Sequence, residues 1–402
     1  MQIESNQFNS REKILIIVPC YKREIGLTRI INAVNSIPDN KCHLFDLLIS
    51  QDGGGSKKLT QKLKSFNIKI NNKIIIQKKN IGLKNHILSL CDKVKNYRAC
   101  IVVEDDIFLA QKFYDAALDL LKLVEDNDSF VVGASLYSPS YNEYANSLFH
   151  PIKNKNNFYT SSVPSSWGQI WTSKTWYDFR HWLSKKTNAD ILSSSLPNFI
   201  KSWPETSWKK YLALYLLSMN KKIIYPYNSF ATNMCDDGGE HLDLYTNLFQ
   251  VDIGDISESI SIKKNEEVII DYDSHFNINA IHFKNLLPNF YNDLIVDLYS
   301  TKNISLENGK YVLTRAISNN DFISSFSDKL IPIEMNIFFK ALMKDEKGKI
   351  FLIEKQKFLN HKNKTPYFES DIKISIFRLK FIKYYLSAVF KKCVNKFKLL
   401  FR

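Results

Sequence analysis

No apolar run in the sequence approaches the roughly 20 residues that span a bilayer. Its first residues, MQIESNQFNSREK, lack the apolar core of a secretory signal. These absences argue against an integral membrane protein, and the expectation is a protein that stays in the cytoplasm. Six cysteines (Cys20, Cys42, Cys91, Cys100, Cys235 and Cys393) form no CxxC pair and no zinc spacing. A disulfide framework and a structural zinc are therefore disfavoured, and reduced packing thiols are the simplest reading. There is no GxGxxG and no GxxxxGKS/T, so neither a dinucleotide fingerprint nor a P-loop is present. Acid is missing from one end of the chain, since residues 372 to 402 hold nine Lys or Arg and no Asp or Glu.

That last absence locates the chain's basicity. The 402 residues carry a formal net charge of +14, of which nine belong to this tail, leaving +5 for residues 1 to 371. The tail interleaves its cations with Phe, Ile, Leu and Tyr at spacings compatible with an amphipathic helix. Basic heads on apolar and aromatic flesh suit an anionic membrane surface, and the competing reading is a terminal helix packed on its own domain. Nucleic acid is not an expected partner, because a phosphate-tracking surface has little use for so much aliphatic bulk.

Local periodicity organises the first third. KILIIVP (13 to 19) is a short β-rich run, and REIGLTRIINAVNSI after it has helical spacing. The pair recurs as FDLLIS with KKLTQKLKSF, NKIIIQ with LKNHILSLCDKV, and ACIVV with QKFYDAALDLLKLV. Four strand-then-helix units predict an α/β protein with a doubly wound, mostly parallel sheet, whose ligands bind beyond the carboxyl ends of its strands. Three polar clusters fall at those ends: PCYKR (19 to 23), SQDGGG (50 to 55) and EDD (104 to 106). Downstream, ETSWKKYLALYLLSMN (205 to 220) predicts a helix and KIIYPY (222 to 227) a strand. The length exceeds one ordinary core, and the expected layout is a unit over 1–260, a smaller α+β region over 261–370, and the basic helix over 371–402.

The clusters carry chemistry by residue type. Asp52 at the sheet rim could accept a hydrogen bond from a nucleobase N–H, while the glycines beside it let backbone approach a ligand. On an extended segment Glu104 and Asp106 would face one side and Asp105 the other. Carboxylates are hard oxygen ligands suited to Mn2+ or Mg2+, ions that commonly take substrate phosphates as further ligands. The alternative is that Asp105 or Asp106 caps a helix starting near Ala110.

VPCYKR, ISQDGG, NIGL (80 to 83) and VVEDDIFLAQKFYDAAL, followed by SSWGQIWTSKTW (165 to 176), WPETSWKKY and DDGGEH (236 to 241), resemble GT-A glycosyltransferases. They are especially similar to the inverting enzymes related to N-acetylglucosaminyltransferase I and to bacterial family 2 members. The resemblance covers roughly residues 12 to 245. It implies a GT-A fold, a nucleotide-sugar donor (UDP foremost), a glycan or lipid-linked glycan acceptor in bacterial surface polysaccharide or oligosaccharide synthesis, and Mn2+ or Mg2+.

By position, the resemblance implies Asp52 for uracil, Arg23 near the nucleotide, Glu104 and Asp105 for donor sugar and ribose, and Asp106 for the metal. Pro19, Tyr21, Asn80, Gly82, Lys84, Trp167 and Gly168 fall in its donor-binding segments. Its general base commonly follows a Trp where this chain has Lys209 after Trp208, so Glu205, one turn earlier, is the candidate base. Glu205 is equally readable as a first-turn acid on a helix dipole. Asp236, Asp237 and His241 are the candidates in a glycine-bearing loop. A sugar-nucleotide nucleotidyltransferase and a non-catalytic membrane-bound scaffold stand as the competing classes.

Overall fold

The structure, a computed structural model, describes residues 10–236, 247–254, 259–262, 268–316, 322–342 and 348–360. The basic tail, Asp237 and His241 lie outside the described residues. The strands are β1 (Ser10–Cys20), β2 (Phe45–Gln51), β3 (Asn71–Ile76), β4 (Tyr97–Val102), β5 (Ile107–Leu109), β6 (Val131–Ser135), β7 (Tyr141–Asn142), β8 (Ser147–Leu148) and β9 (Phe158–Ser161). They continue with β10 (Gln169–Thr172), β11 (Lys222–Pro226), β12 (Ala231–Asn233), β13 (Asp271–Tyr272), β14 (Leu294–Asp297), β15 (Tyr311–Thr314), β16 (Ser324–Phe326) and β17 (Ile350–Glu354). The helices that matter for the site are α1 (Glu24–Asn35), α2 (Asp39–Cys42), α3 (Lys57–Leu63), α4 (Leu83–Cys91), α5 (Phe113–Asp126), α6 (Ser173–Leu183), α7 (Asn188–Leu192), α8 (Asn198–Lys201) and α9 (Trp208–Ser218).

Nine strands form one sheet in the order β13-β9-β11-β6-β10-β4-β1-β2-β3. β1 lies between β2 and β4, parallel to both, and β3 is parallel to β2. β10 runs antiparallel between β4 and β6. The inner strands are apolar on both faces, as a sheet covered on two sides requires. Along β1, Leu15 and Ile17 enter one core while Ile14, Ile16 and Val18 enter the other, the period-2 alternation of a strand. The first core is roofed by α4, α6 and α9 through Ile87, Phe179 and Leu212. The second is roofed by α1, α3 and α5 through Ile30, Leu59 and Leu120. The chain is thus an α/β/α sandwich, as its strand–helix repeats predict. Its order reverses at β1, with β2 and β3 on one side and β4 on the other, so the crevice for a ligand lies there.

Three expectations are revised. The helix expected over 205–220 begins at Trp208, because Pro204, Glu205 and Thr206 form a turn before the cap residue Ser207. Glu205 is therefore not a first-turn acid. The sheet also passes the boundary expected at residue 260: β13 adds its edge beside β9, with Thr160 N donating to Ile270 O at 2.9 Å and Ser162 N to Tyr272 O at 3.1 Å. Those edge groups of β9 would otherwise lack partners. Beyond β13, a four-stranded sheet in the order β14-β15-β17-β16 packs Val296, Leu313 and Leu352 into the first core. Finally, α5 begins at Phe113 with Lys112 as its cap residue, so neither Asp105 nor Asp106 caps it.

Among the described residues no helix is long and apolar enough to cross a membrane.

Candidate active site

EDD sits where β4 ends and the chain turns into β5. Ile107 N donates to Glu104 O at 3.1 Å, closing a four-residue turn. This corrects the extended geometry expected from the sequence, in which Asp105 and Asp106 would face opposite sides. In the turn both carboxylates reach one guanidinium: Asp105 Oδ1 lies 2.8 Å from Arg23 Nη2, and Asp106 Oδ2 lies 3.1 Å from Arg23 Nη1. Two packing devices hold the turn. β5 pairs with β12, and Met234 N donates to Asp106 O at 2.9 Å. Beneath, α1 approaches so closely at Gly26 that a Cβ there would sit 1.6 Å from Asp105 O.

Burial sets the charge state of this cluster. Desolvation lifts the Asp105 carboxyl to about 6, although Arg23 opposes the rise. Desolvation and then the Asp106 charge push the half-buried Glu104 carboxyl well above the ordinary carboxylate range, against a hydrogen bond from Ser166. Arg23 loses hydration on burial, but Asp105 and Asp106 outweigh that loss and its pKa is raised. Cys20, at the end of β1, has its thiol pushed up by burial and by Asp105, so a nucleophilic thiolate is not available here.

Asp52, also buried, has both oxygens engaged by backbone. Oδ1 accepts from Gly53 N at 2.8 Å and Ile81 N at 3.0 Å, and Oδ2 accepts from Gly82 N at 3.1 Å. It therefore ties the NIGL loop to the rim of β2. The neighbouring glycine serves the same loop, since a Cβ on Gly53 would lie 2.1 Å from the Lys79 carbonyl carbon. The expected approach of backbone to a ligand is, at Gly53, an approach of backbone to backbone.

These groups line a cavity of about 750 Å³, within the usual range for a small-molecule site. Of the residues singled out in the sequence, Pro19, Tyr21, Arg23, Asp52, Asn80, Gly82, Glu104, Asp105, Asp106 and Trp167 line it. Lys84 does not: its ammonium stands 3.9 Å from the centre of the Tyr211 ring and donates to Glu205 O at 3.4 Å. Gly168 lies against Leu136 outside the lining, and Trp171 is a core residue stacked on Phe179. Asp236 is paired with Arg29 of α1. Glu205 is exposed and accepts from Asn188 Nδ2 at 2.8 Å, and it is not part of the lining.

The cavity holds residues that the sequence reading missed. Glu143, between β7 and β8, faces Lys209 across 3.7 Å. Phe199, Trp203, Trp208 and Phe249 join Trp167 in an aromatic wall. His86 of α4 is buried, with Nε2 2.8 Å from Ser50 Oγ, and burial lowers its pKa despite Asp52. Only His86 carried a signal, lying one turn into a helix that starts at the rim. Glu143 carried none, because an isolated acid in a turn-rich stretch has no periodicity to place it.

Among the described residues there is no cluster of three or more His, Cys, Asp or Glu arranged for a metal ion. One observation does fit a cation: Asp106 Oδ1 is buried with no hydrogen-bond partner among the described residues. A single fixed carboxylate suits an ion that completes its shell with water and substrate phosphates.

No protein-family model matches the chain, and no curated protein does. Solved structures with some likeness include Staphylococcus aureus TarS residues 1–349 in complex with UDP, at 14% identity and a TM-score of 0.35, covering 55% of this chain and 59% of that one. The same TarS fragment with UDP-GlcNAc gives 15%, 0.37, 58% and 62%. The mannosyltransferase PcManGT from Pyrobaculum calidifontis in complex with GDP-Man and Mn2+ gives 9%, 0.37, 59% and 61%. The likeness is distant, and the chain spans about three fifths of the length of these proteins.

Proposed function

We propose that this chain is a metal-dependent, inverting glycosyltransferase that moves a sugar from a nucleoside diphosphate, UDP foremost, to a hydroxyl of a glycan acceptor. The observation that carries the reading is one cavity at the reversal point of a parallel sheet. Its rim gathers three carboxylates, a shared arginine and one buried carboxylate oxygen with no partner among the described residues, and an aromatic wall lines the same cavity. A deep crevice at that position is where such sheets take nucleotides. Asp106 would hold Mn2+ or Mg2+, which when bound supplies positive charge against the leaving diphosphate.

The chain's own groups do the rest. Tyr21, Asn80 and Gly82 line the cavity and would meet the nucleoside, and Asp52 keeps the NIGL loop in place beside them. Arg23 offsets the repulsion between Asp105 and Asp106 and offers a cation to an incoming phosphate.

The test is titration of the full chain with UDP, GDP and dTDP, each with and without Mn2+, followed by calorimetry and thermal stabilisation. Wild type should bind one of them only with the metal, and Asp106→Asn should lose that binding at least tenfold. Wild type binding none of the three with metal present overturns the reading.

A further inference from the structure

We propose that Glu143 is the catalytic base and that the aromatic wall around Trp203 seats a ring of the acceptor; this rests on the sugar-transfer reading above. Among the described residues five carboxylates line the cavity: Asp52, Glu104, Asp105, Asp106 and Glu143. Asp52 is consumed by three backbone N–H groups, and Asp105 and Asp106 are joined to Arg23. Glu104 belongs to the same acid turn and takes a hydrogen bond from Ser166. Among the described residues Glu143 is the lining carboxylate that remains, and it stands beside Lys209, whose ammonium lies over Trp203 and Trp167.

Its position is fixed by its neighbours in the chain. Asn142 Oδ1 accepts from Tyr144 N at 3.0 Å and Ala145 N at 3.3 Å, closing the turn between β7 and β8. On either side of Glu143, Tyr141 packs edge-on against Phe249 at 6.1 Å, and Tyr144 lies tilted to Phe199 at 5.8 Å and edge-on to Phe276 at 5.2 Å between ring centres. With both flanking rings anchored, the residue between them is held toward the cavity.

The acceptor side follows from Lys209. Its ammonium is 3.7 Å from Glu143 Oε1, 4.5 Å from the Trp203 ring centre and 5.7 Å from that of Trp167. One ammonium thus joins the carboxylate to two indole rings and covers part of Trp203, so a sugar ring packed against the aromatic wall beside it would have a hydroxyl within reach of Glu143. Aromatic faces suit the C–H surface of a sugar ring and leave its hydroxyls free for polar neighbours. Lys209 occupies the place where an acid was expected. It acts as a positioning residue for Glu143, whose turn lies more than sixty residues earlier in the chain.

The step balances as a displacement. The acceptor oxygen bonds to the anomeric carbon and its proton passes to a Glu143 carboxylate oxygen. The bond from the anomeric carbon to the diphosphate oxygen breaks, and its electron pair leaves with the phosphate.

The experiment compares wild type, Glu143→Gln, Glu143→Asp, Trp203→Ala and Glu205→Gln, using the UDP-, GDP- and dTDP-sugars with Mn2+ and a panel of p-nitrophenyl glycosides as acceptor probes. Where no glycoside accepts, the slower hydrolysis of the donor by water is read for the Glu143 and Glu205 variants with the same kcat expectations. Glu143→Gln should keep nucleotide affinity within twofold and wild-type melting, yet lose about 100-fold or more in kcat. Glu143→Asp should recover part of that loss, Trp203→Ala should raise the glycoside KM more than it lowers kcat, and Glu205→Gln should stay within threefold of wild type. A Glu143→Gln enzyme within threefold of wild type overturns the base, as does a 100-fold loss in Glu205→Gln instead. Loss of all nucleotide binding in wild type would instead defeat the sugar-transfer reading.

Discussion

Replacing Arg23 with alanine removes the cation shared by the buried Asp105 and the half-buried Asp106, and the structure sets both the size and the pH dependence of the damage. The Asp105 side chain is 7% exposed and that of Asp106 15%, so solvent replaces little of the lost partner. Removing one member of a buried ion pair costs about 3–5 kcal/mol, chiefly by stranding the other charge. Asp105 already has its folded-state pKa raised from 3.8 to about 6. At about 1.4 kcal/mol per unit, its ionisation costs the wild type about 3 kcal/mol above that pH.

The sign follows from the direction of that shift. A carboxyl raised on folding contributes its stabilisation fully below 3.8 and loses it as pH rises through about 6. In Arg23→Ala the opposing charge is gone, so Asp105 is raised further and the penalty is felt across a wider range above neutrality. The variant should be about 3–5 kcal/mol less stable than wild type at pH 8. The gap should narrow at pH 5, where Asp105 takes up a proton. Urea denaturation of both proteins at the two pH values, with EDTA present, measures this. A deficit below about 1 kcal/mol at pH 8, the size of an exposed pair, would refute the reasoning. So would a deficit that grows toward pH 5.

Two further substitutions test the frame around the site. Gly26→Ala would place a methyl group 1.6 Å from Asp105 O, and no side-chain rotation relieves a clash with backbone. It should cost about 3 kcal/mol or more and lower Mn2+-dependent nucleotide affinity by displacing the acid turn, read by melting and calorimetry. Glu334 is fully buried, neither carboxylate oxygen has a hydrogen-bond partner in another described residue, and burial raises its pKa from 4.5 to about 7 against its own backbone N–H and Arg315. Its stabilising share is present below 4.5 and lost as pH rises through about 7. Glu334→Gln should therefore gain about 3 kcal/mol on wild type between pH 5 and pH 8 in paired denaturation curves; equal curves would show that the site is hydrated.

The legible part of the molecule was whatever depends on neighbours along the chain. The apolar run at 14–18 and the helical spacing of Leu27, Ile30, Ile31 and Val34 declare a strand and a helix, because burial selects residues at the period of each element. Repetition of that pair implies a parallel sheet, and a parallel sheet implies a ligand at its carboxyl rim. Placing Asp52 and EDD at that rim needed no coordinates. The reading of Glu205 as a first-turn acid fails because Pro204 reads equally well as the first helical residue or as part of a turn before it. Only packing of Trp208 into the core set the start of α9.

Two decisions belonged to tertiary structure. The first was the shape of EDD: pairing of β5 with β12 and close approach of α1 at Gly26 fold it into a turn, which puts Asp105 and Asp106 on the same arginine. The second was the company of Glu143, since Lys209, Trp203 and Phe249 come from segments far along the chain and meet it only in the folded molecule. The sequence by itself determined which edge of the sheet bears the acids, because alternation and turn chemistry are local. Folding decided which acids share a cation and which one faces the aromatic wall, because those relations depend on strand pairing and backbone packing between distant segments.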